Sequence, residues 1–133
     1  MCYDSHKSME KDFLLWLDKA QESLEDAEYS FKGHRYGLTA FCCQQALEKL
    51  LKAAIIKKKA RPPKVHDLLP LLRDSSLNLS KEYTTEIAKI SKFYFLVRYP
   101  DINKKFFATP EIAKNTLNKT GEIYLWIKNK LTE

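Results

Sequence analysis

Apolar residues recur at every third or fourth position through four long stretches of this 133-residue chain, and only three glycines interrupt it. That period gathers apolar side chains on one face of a helix, whereas a strand needs strict alternation. So few glycines also leave little of the turn chemistry that a hairpin-rich β fold consumes. The chain is therefore expected to be all-α. The first stretch runs from about Met9 to Lys32, with Ser8 placed to cap it. Phe13, Trp16, Leu17, Ala20, Leu24, Ala27 and Phe31 form its stripe, and Asp18, Glu22, Glu25 and Asp26 form a face for water. Gly33-His34-Arg35-Tyr36-Gly37 then breaks the helix.

The second stretch, Leu38 to Lys58, is apolar around most of its circumference. Leu38, Cys42, Ala46, Ala53 and Ile56 line one side; Cys43, Leu47, Leu50 and Ala54 line another. A helix covered on two sides is either central or buries one face against a second copy. Arg61-Pro62-Pro63 stops it, since proline cannot continue a helix. His66 to Arg73 reads as a short helix, with Asp67 near its start to suit the dipole and Pro70 tolerated in the first turn. The aromatic run Phe93-Tyr94-Phe95-Leu96-Val97 taken alone resembles a strand. Tyr83, Ile87, Ile90, Tyr94 and Val97 keep a helical period from a cap at Ser80, so the wider window predicts a helix that ends at Pro100. Thr109-Pro110-Glu111 opens the last helix, with a capping hydroxyl, proline at the first position and an acid near the positive end. Its stripe continues to Leu131. The sum is an antiparallel four-helix up-and-down bundle with one extra short helix.

A chain of this length can bury a core without staples, and 44% hydrophobic with 30% charged residues is an ordinary globular balance. Its apolar runs are only a few residues long, far short of a membrane span. Residues 1–8 lack the apolar centre and small-residue cleavage site of a signal peptide and are expected to be disordered. Residues 9–133 are expected to form a single helical domain, placed in the cytoplasm. Cys42 and Cys43 are neighbours and point about 100° apart on a helix, so they read as small buried apolar groups, not one metal grip. Di-iron bundles need Glu-x-x-His, but the residues three before His6, His34 and His66 are Tyr3, Phe31 and Pro63. There is no phosphate loop, dinucleotide fingerprint or serine elbow either, so neither a metal nor a cofactor is expected.

The net charge of +6 is unevenly spread. Residues 10–28 carry seven acidic and two basic side chains. Residues 49–64 carry Lys49, Lys52, Lys57, Lys58, Lys59, Arg61 and Lys64 with no acid. Two readings fit this block. It meets phosphates, or it offsets a helix C-terminus and stays in water.

Four segments go further. Gln44-Gln45-Ala46-Leu47-Glu48-Lys49-Leu50-Leu51-Lys52-Ala53 lies mid-helix; Val65-His66-Asp67-Leu68 opens the short helix; Val97-Arg98-Tyr99-Pro100-Asp101 closes the fourth; and Trp126-Ile127 lies near the end of the last. In this order and spacing they resemble the HEPN family (higher eukaryotes and prokaryotes nucleotide-binding), over about Phe13 to Lys128. The resemblance implies a single HEPN-like helical domain over 9–133 that is usually homodimeric. Such proteins often belong to two-gene modules with a minimal nucleotidyltransferase, many acting as toxin and antitoxin. Active members are metal-independent ribonucleases whose arginine is followed, four to six residues later, by a histidine. Position assigns that arginine to Arg98, yet Ile102, Asn103 and Lys104 follow at that distance, and no histidine comes after His66. Arg61 and His66 have the formal spacing, but across a Pro-Pro loop.

The expected nucleotide or RNA contacts are Arg98, Tyr99, Asp101, His66, Asp67, Lys49 and Lys52, with Arg98 and His66 as the candidate catalytic groups. Each has a plainer alternative. Asp101 and Arg98 pair as a helix stop, Tyr99 covers the core, His66 and Asp67 satisfy local backbone, and Glu48 pairs with Lys52 along a polar strip. Three functions follow: an RNA- or nucleotide-binding member of a two-gene toxin–antitoxin-like or stress module, lacking its catalytic histidine; an active ribonuclease toxin that uses Arg98; or a non-catalytic interaction bundle.

Overall fold

The computed structural model describes residues 2–133, with side chains from Ser8 onward. Met1 and the side chains of residues 2–7, which fall in the segment expected to be disordered, lie outside the described residues; the backbone of residues 2–8 is described as part of the first helix. Helix α1 (Cys2–Lys32) runs through Ser8, which therefore sits inside the helix and does not cap it. Its stripe is as expected: Ala20, Leu24 and Ala27 are buried, and Phe13, Trp16 and Leu17 pack on them. His34, at φ 60, makes the reversal into α2 (Tyr36–Lys57) in the left-handed conformation. The two helices are antiparallel. The Ser30 and Thr39 hydroxyls meet at 3.1 Å beside the turn, Lys49 Nζ donates to Ser23 Oγ at 2.8 Å further down, and Lys57 reaches the Phe13 ring near the far end.

α2 is buried on nearly every side and packs against α1, α3 (Leu68–Ser75), α4 (Lys81–Ser91), α5 (Phe93–Leu96) and α7 (Pro110–Leu131). It is the central helix of its own chain. Leu38, placed on its stripe from the sequence, is instead 52% exposed at the first turn. Leu47, Leu50, Leu51 and Ile55 are fully enclosed with Leu68, Leu71, Ile87, Ile90, Ile123 and Ile127. Each such side chain contributes about 1.5–3 kcal/mol by leaving water. α7 runs parallel to α2: its Tyr124 hydroxyl donates to Gln21 Oε1 at 3.1 Å, close to the Ser23–Lys49 contact, and its end at Leu131 offers the carbonyl that Lys57 reaches. α4 and α5 return the other way, with Glu82 on Lys119 at 2.9 Å and Tyr94 near Phe41 at the start of α2. The long elements thus alternate up, down, up, down, as the bundle reading requires. No helix among the described residues is long and apolar enough to cross a membrane.

Two further departures from the sequence reading lie beyond α4. The fourth helix is not continuous to Pro100: at Lys92 its backbone bonds tighten to the i,i+3 type, as in Phe95 N–H to Lys92 O at 3.2 Å, which separates α4 from α5. Phe93, the first residue of α5, meets Phe107 edge to face at 5.8 Å. Pro100 then opens a helix as well as closing one. It is the first residue of α6 (Pro100–Phe106), where its missing N–H costs nothing and Asp101 sits in the positive first turn. Ser80 caps α4 as expected, its Oγ accepting from Tyr83 N–H at 3.1 Å. Thr109 occupies the N-cap position of α7, but its hydroxyl makes no capping bond.

Candidate functional site

Gln44, Glu48 and Lys52 are spaced by four residues and therefore share one face of α2. That face turns inward, so the expected polar strip is a buried ladder: Gln44 is inaccessible, Glu48 is 4% exposed and Lys52 is 7% exposed. Lys52 Nζ lies 3.1 Å from Glu48 Oε2, which is the expected i,i+4 pair in a desolvated setting. Gln44 Nε2 donates to Glu48 Oε1 at 3.1 Å and to the His66 carbonyl at 2.8 Å, while its Oε1 accepts from Gln45 Nε2 at 2.8 Å. The Gln44 amide is fully satisfied, as a buried polar group requires.

The connection after α2 carries His66 onto this ladder. Its Nδ1 lies 3.1 Å from Glu48 Oε1 and 3.3 Å from Oε2. A carboxylate only accepts, so Nδ1 is the donor, and no hydrogen bond engages Nε2 among the described residues. The imidazole stacks on the Tyr94 ring with centroids 4.1 Å apart and planes 14° apart. The Arg98 guanidinium, one turn beyond Tyr94, is also centred 4.1 Å from that ring. Two planar groups at this distance can share one ring only by taking opposite faces. A sandwich of His66, Tyr94 and Arg98 results, with the cation held over the ring's negative face.

The candidate residues separate into three groups. His66, Lys52 and Arg98 come together through Glu48 and through Tyr94, which the sequence placed in the core. Asp67 lies next to them but serves as the N-cap of α3: its Oδ1 accepts from Leu69 N–H at 3.1 Å and from Ser91 Oγ at 3.0 Å. Ser91 Oγ in turn accepts from Leu68 N–H at 2.9 Å, locking α3 to the end of α4. Tyr99 and Asp101 lie exposed where α6 begins, and no hydrogen bond or ion pair engages their side chains among the described residues; Arg98 does not pair with Asp101. Lys49 faces Ser23 of α1, away from His66.

The basic block is likewise divided by packing. Lys57 holds the end of α7 and Lys58 holds the end of α3 through the Asp74 carbonyl at 3.1 Å, leaving Lys59, Arg61 and Lys64 exposed to water. Cys42 and Cys43 stand apart from the cluster. Burial pushes the Cys43 thiol up to about 12, and burial with nearby Asp26 raises Cys42 as well, so neither is an activated thiolate. Among the described residues no group of three or more His, Cys, Asp or Glu is placed to hold a metal ion. A signal for Glu48 was present in the sequence: three polar residues at a spacing of four on a helix apolar around most of its circumference. Tyr94 gave none beyond its helical stripe.

Comparison with known proteins agrees with this architecture. A family model described as the HEPN domain matches residues 13–130. The crystal structure of TT1696 from Thermus thermophilus is similar with a TM-score of 0.79 at 24% identity, over 89% of this chain and 97% of that one. That of ST0689, an archaeal HEPN homologue, is similar with a TM-score of 0.74 at 25% identity, over 90% and 97%. No curated protein sequence matches the chain. The family match spans nearly the whole bundle, from the first stripe of α1 to the last turn of α7, and the chain belongs to the HEPN family.

Proposed function

We propose that this HEPN domain binds RNA through the surface around His66, Tyr94 and Arg98. The observation that supports it is the sandwich itself. Tyr94 holds the exposed Arg98 guanidinium over its ring, which suits phosphate, while Phe95 and Tyr99 beside it are each 56% exposed and offer faces on which bases stack. On this reading the protein works as a homodimer in a two-gene stress or defence module with a minimal nucleotidyltransferase. Fluorescence anisotropy with a single-stranded oligoribonucleotide tests it. Arg98→Ala is expected to weaken binding about tenfold and to lower its salt dependence, since one phosphate contact is lost. Unchanged affinity in that variant would remove the central residue from the reading. Binding that is absent or independent of salt in the wild type would instead favour a bundle that only docks a protein partner.

A second reading, a metal-independent ribonuclease, draws on the His66 and Glu48 pair. A carboxylate on Nδ1 orients an imidazole so that Nε2 can take a proton from a ribose hydroxyl. The Tyr94 ring, however, lies between His66 and Arg98, so within one chain the two do not grip the same phosphate. That geometry favours binding over cleavage. Total RNA incubated in EDTA with wild type, Arg98→Ala and His66→Ala decides between them: cleavage lost in both variants establishes the enzyme, and an intact RNA ladder in all three leaves the binding reading.

A further inference from the structure

Glu48 fixes more than the position of His66. Its carboxylate has no proton to give, so the contact at 3.1 Å places the imidazole proton on Nδ1. A neutral imidazole carries one proton, which leaves Nε2 as a lone-pair acceptor. The His66 side chain is 47% exposed, and no hydrogen bond engages Nε2 among the described residues. Glu48 itself is out of a ligand's reach, being buried and already bonded to Gln44 and Lys52. Asp67 is engaged as the α3 cap. The cations around the imidazole, Arg98 across the Tyr94 ring and Arg61 and Lys64 on the connection, only donate.

Arginine and lysine meet phosphates, which RNA and DNA carry alike. An acceptor reads something else. The ribose 2′-hydroxyl is a donor that DNA lacks, and a ribose lies between every two phosphates of a strand. Tyr94 holds the acceptor on one face of its ring and the Arg98 guanidinium on the other, so a strand whose phosphate meets Arg98 can bring a ribose to His66. The Tyr94 stack fixes the plane of the imidazole and the Glu48 bond fixes its tautomer. Little of it is left to order when a strand arrives.

We propose that His66, positioned by Glu48, selects ribose over deoxyribose by accepting a hydrogen bond from a 2′-hydroxyl at Nε2. The contact is recognition, with no bond made or broken, and it rests on the RNA-binding reading above. It carries a pH signature. A protonated imidazole donates at both nitrogens, so acid removes the acceptor and with it the preference. The added charge at the same time strengthens the attraction for either kind of strand. The titratable and charged groups that face the imidazole are Glu48 and Lys52 from α2, Arg61 and Lys64 from the connection, Asp67 at the start of α3, Tyr94 of α5 and Arg98 beyond it, while α1 presents Trp16.

The test is fluorescence anisotropy with three labelled decamers of one sequence: oligouridylate, its 2′-deoxy form and its 2′-fluoro form. The fluoro sugar keeps the pucker of ribose but has no proton to donate. At about pH 8 the wild type is expected to bind the ribose decamer about three- to tenfold tighter than either of the others, which is the contribution of one neutral hydrogen bond. His66→Phe keeps a ring on Tyr94 and is expected to bind all three alike. The wild type at about pH 5.5 is expected to bind all three alike and more tightly, which tests the acceptor without a substitution. Nitrogen NMR of the wild-type imidazole at about pH 8 is expected to show the proton on Nδ1 and none on Nε2, the tautomer that Glu48 dictates. Equal affinity for the ribose and deoxyribose decamers in the wild type overturns the proposal and leaves the Arg98 surface in place. A preference shared by the fluoro decamer overturns it in favour of sugar shape, and one that survives in His66→Phe overturns it in favour of another acceptor such as Asp101. A proton on Nε2 overturns it as well. Absence of binding to every decamer removes the RNA-binding reading and this proposal together.

Discussion

His66 Nδ1 lies 3.1 Å from Glu48 Oε1 although 18 residues separate them, and this contact closes the buried ladder that begins at Gln44 and ends at Lys52. Glu48 is the only acid in that ladder. Its replacement by alanine strands Lys52 as a buried cation without a partner and leaves one donor of Gln44 unmet. Glu48→Ala is therefore expected to cost about 3–5 kcal/mol in urea unfolding, with Glu48→Gln milder because it keeps the shape and one acceptor. A Glu48→Ala variant with the wild-type midpoint would show that water already reaches Lys52.

Asp67 and Ser91 make one capping unit, not two. Asp67 caps Leu69 and accepts from Ser91, whose oxygen receives the Leu68 amide. Asp67→Ala and Ser91→Ala are each expected to destabilise by about 1 kcal/mol, and the double variant by clearly less than the sum. A double-mutant cycle from chemical denaturation measures the coupling; strict additivity would separate the two roles.

Gly37 is the one glycine at which a side chain has no room. A Cβ there would overlap the Asn103 amide of α6, whose Cγ would be only 2.9 Å away. Alanine normally favours a helix over glycine by about 1 kcal/mol, so two effects oppose each other. Gly37→Ala alone is expected to be neutral or destabilising, and to stabilise by about 1 kcal/mol when Asn103→Ala has cleared the space. Thermal melts of the single and double variants decide; stabilisation by Gly37→Ala alone would mean that α6 does not lean on α2 there.

Cys43 links stability to alkaline pH. Burial holds its thiol up to about 12 in the folded chain, against 9.0 for an ordinary cysteine thiol. Above pH 9 the unfolded chain sheds this proton and the folded chain keeps it, so the unfolded state gains. Folding stability is expected to fall by up to about 1.4 kcal/mol per pH unit from this group between pH 9 and 12, with no contribution below pH 9. The slope is expected to flatten in Cys43→Ala. Denaturant midpoints at successive pH values measure it, and an identical slope in the variant would assign the loss to other groups.

Much of this architecture is legible without coordinates because it is local. The stripe Phe13 to Ala27, the cap at Ser80, the Asp67 start of α3 and the proline that opens α7 each depend on residues within one or two turns. The order of four such segments is also enough to resemble the HEPN pattern. The break at Lys92 was not legible, since Tyr83 to Val97 keeps one helical period while the backbone bonds tighten beneath it. Neither was α6, because Pro100 is equally suited to ending one helix and starting the next.

The candidate site divides along the same line. The sequence by itself determined the long helices, their apolar stripes, and that Glu48 and Lys52 stand one turn apart, for periodicity and spacing are properties of a single segment. Only the tertiary structure decided that this turn is buried, that Glu48 receives His66, that Tyr94 stacks between His66 and Arg98, and that Lys49 points to Ser23 instead. The physical reason is that a helical pattern specifies which face of a segment avoids water but not which other face will cover it. That choice is made by the whole bundle at once, when α2 takes the centre and every neighbouring helix must find a place against it.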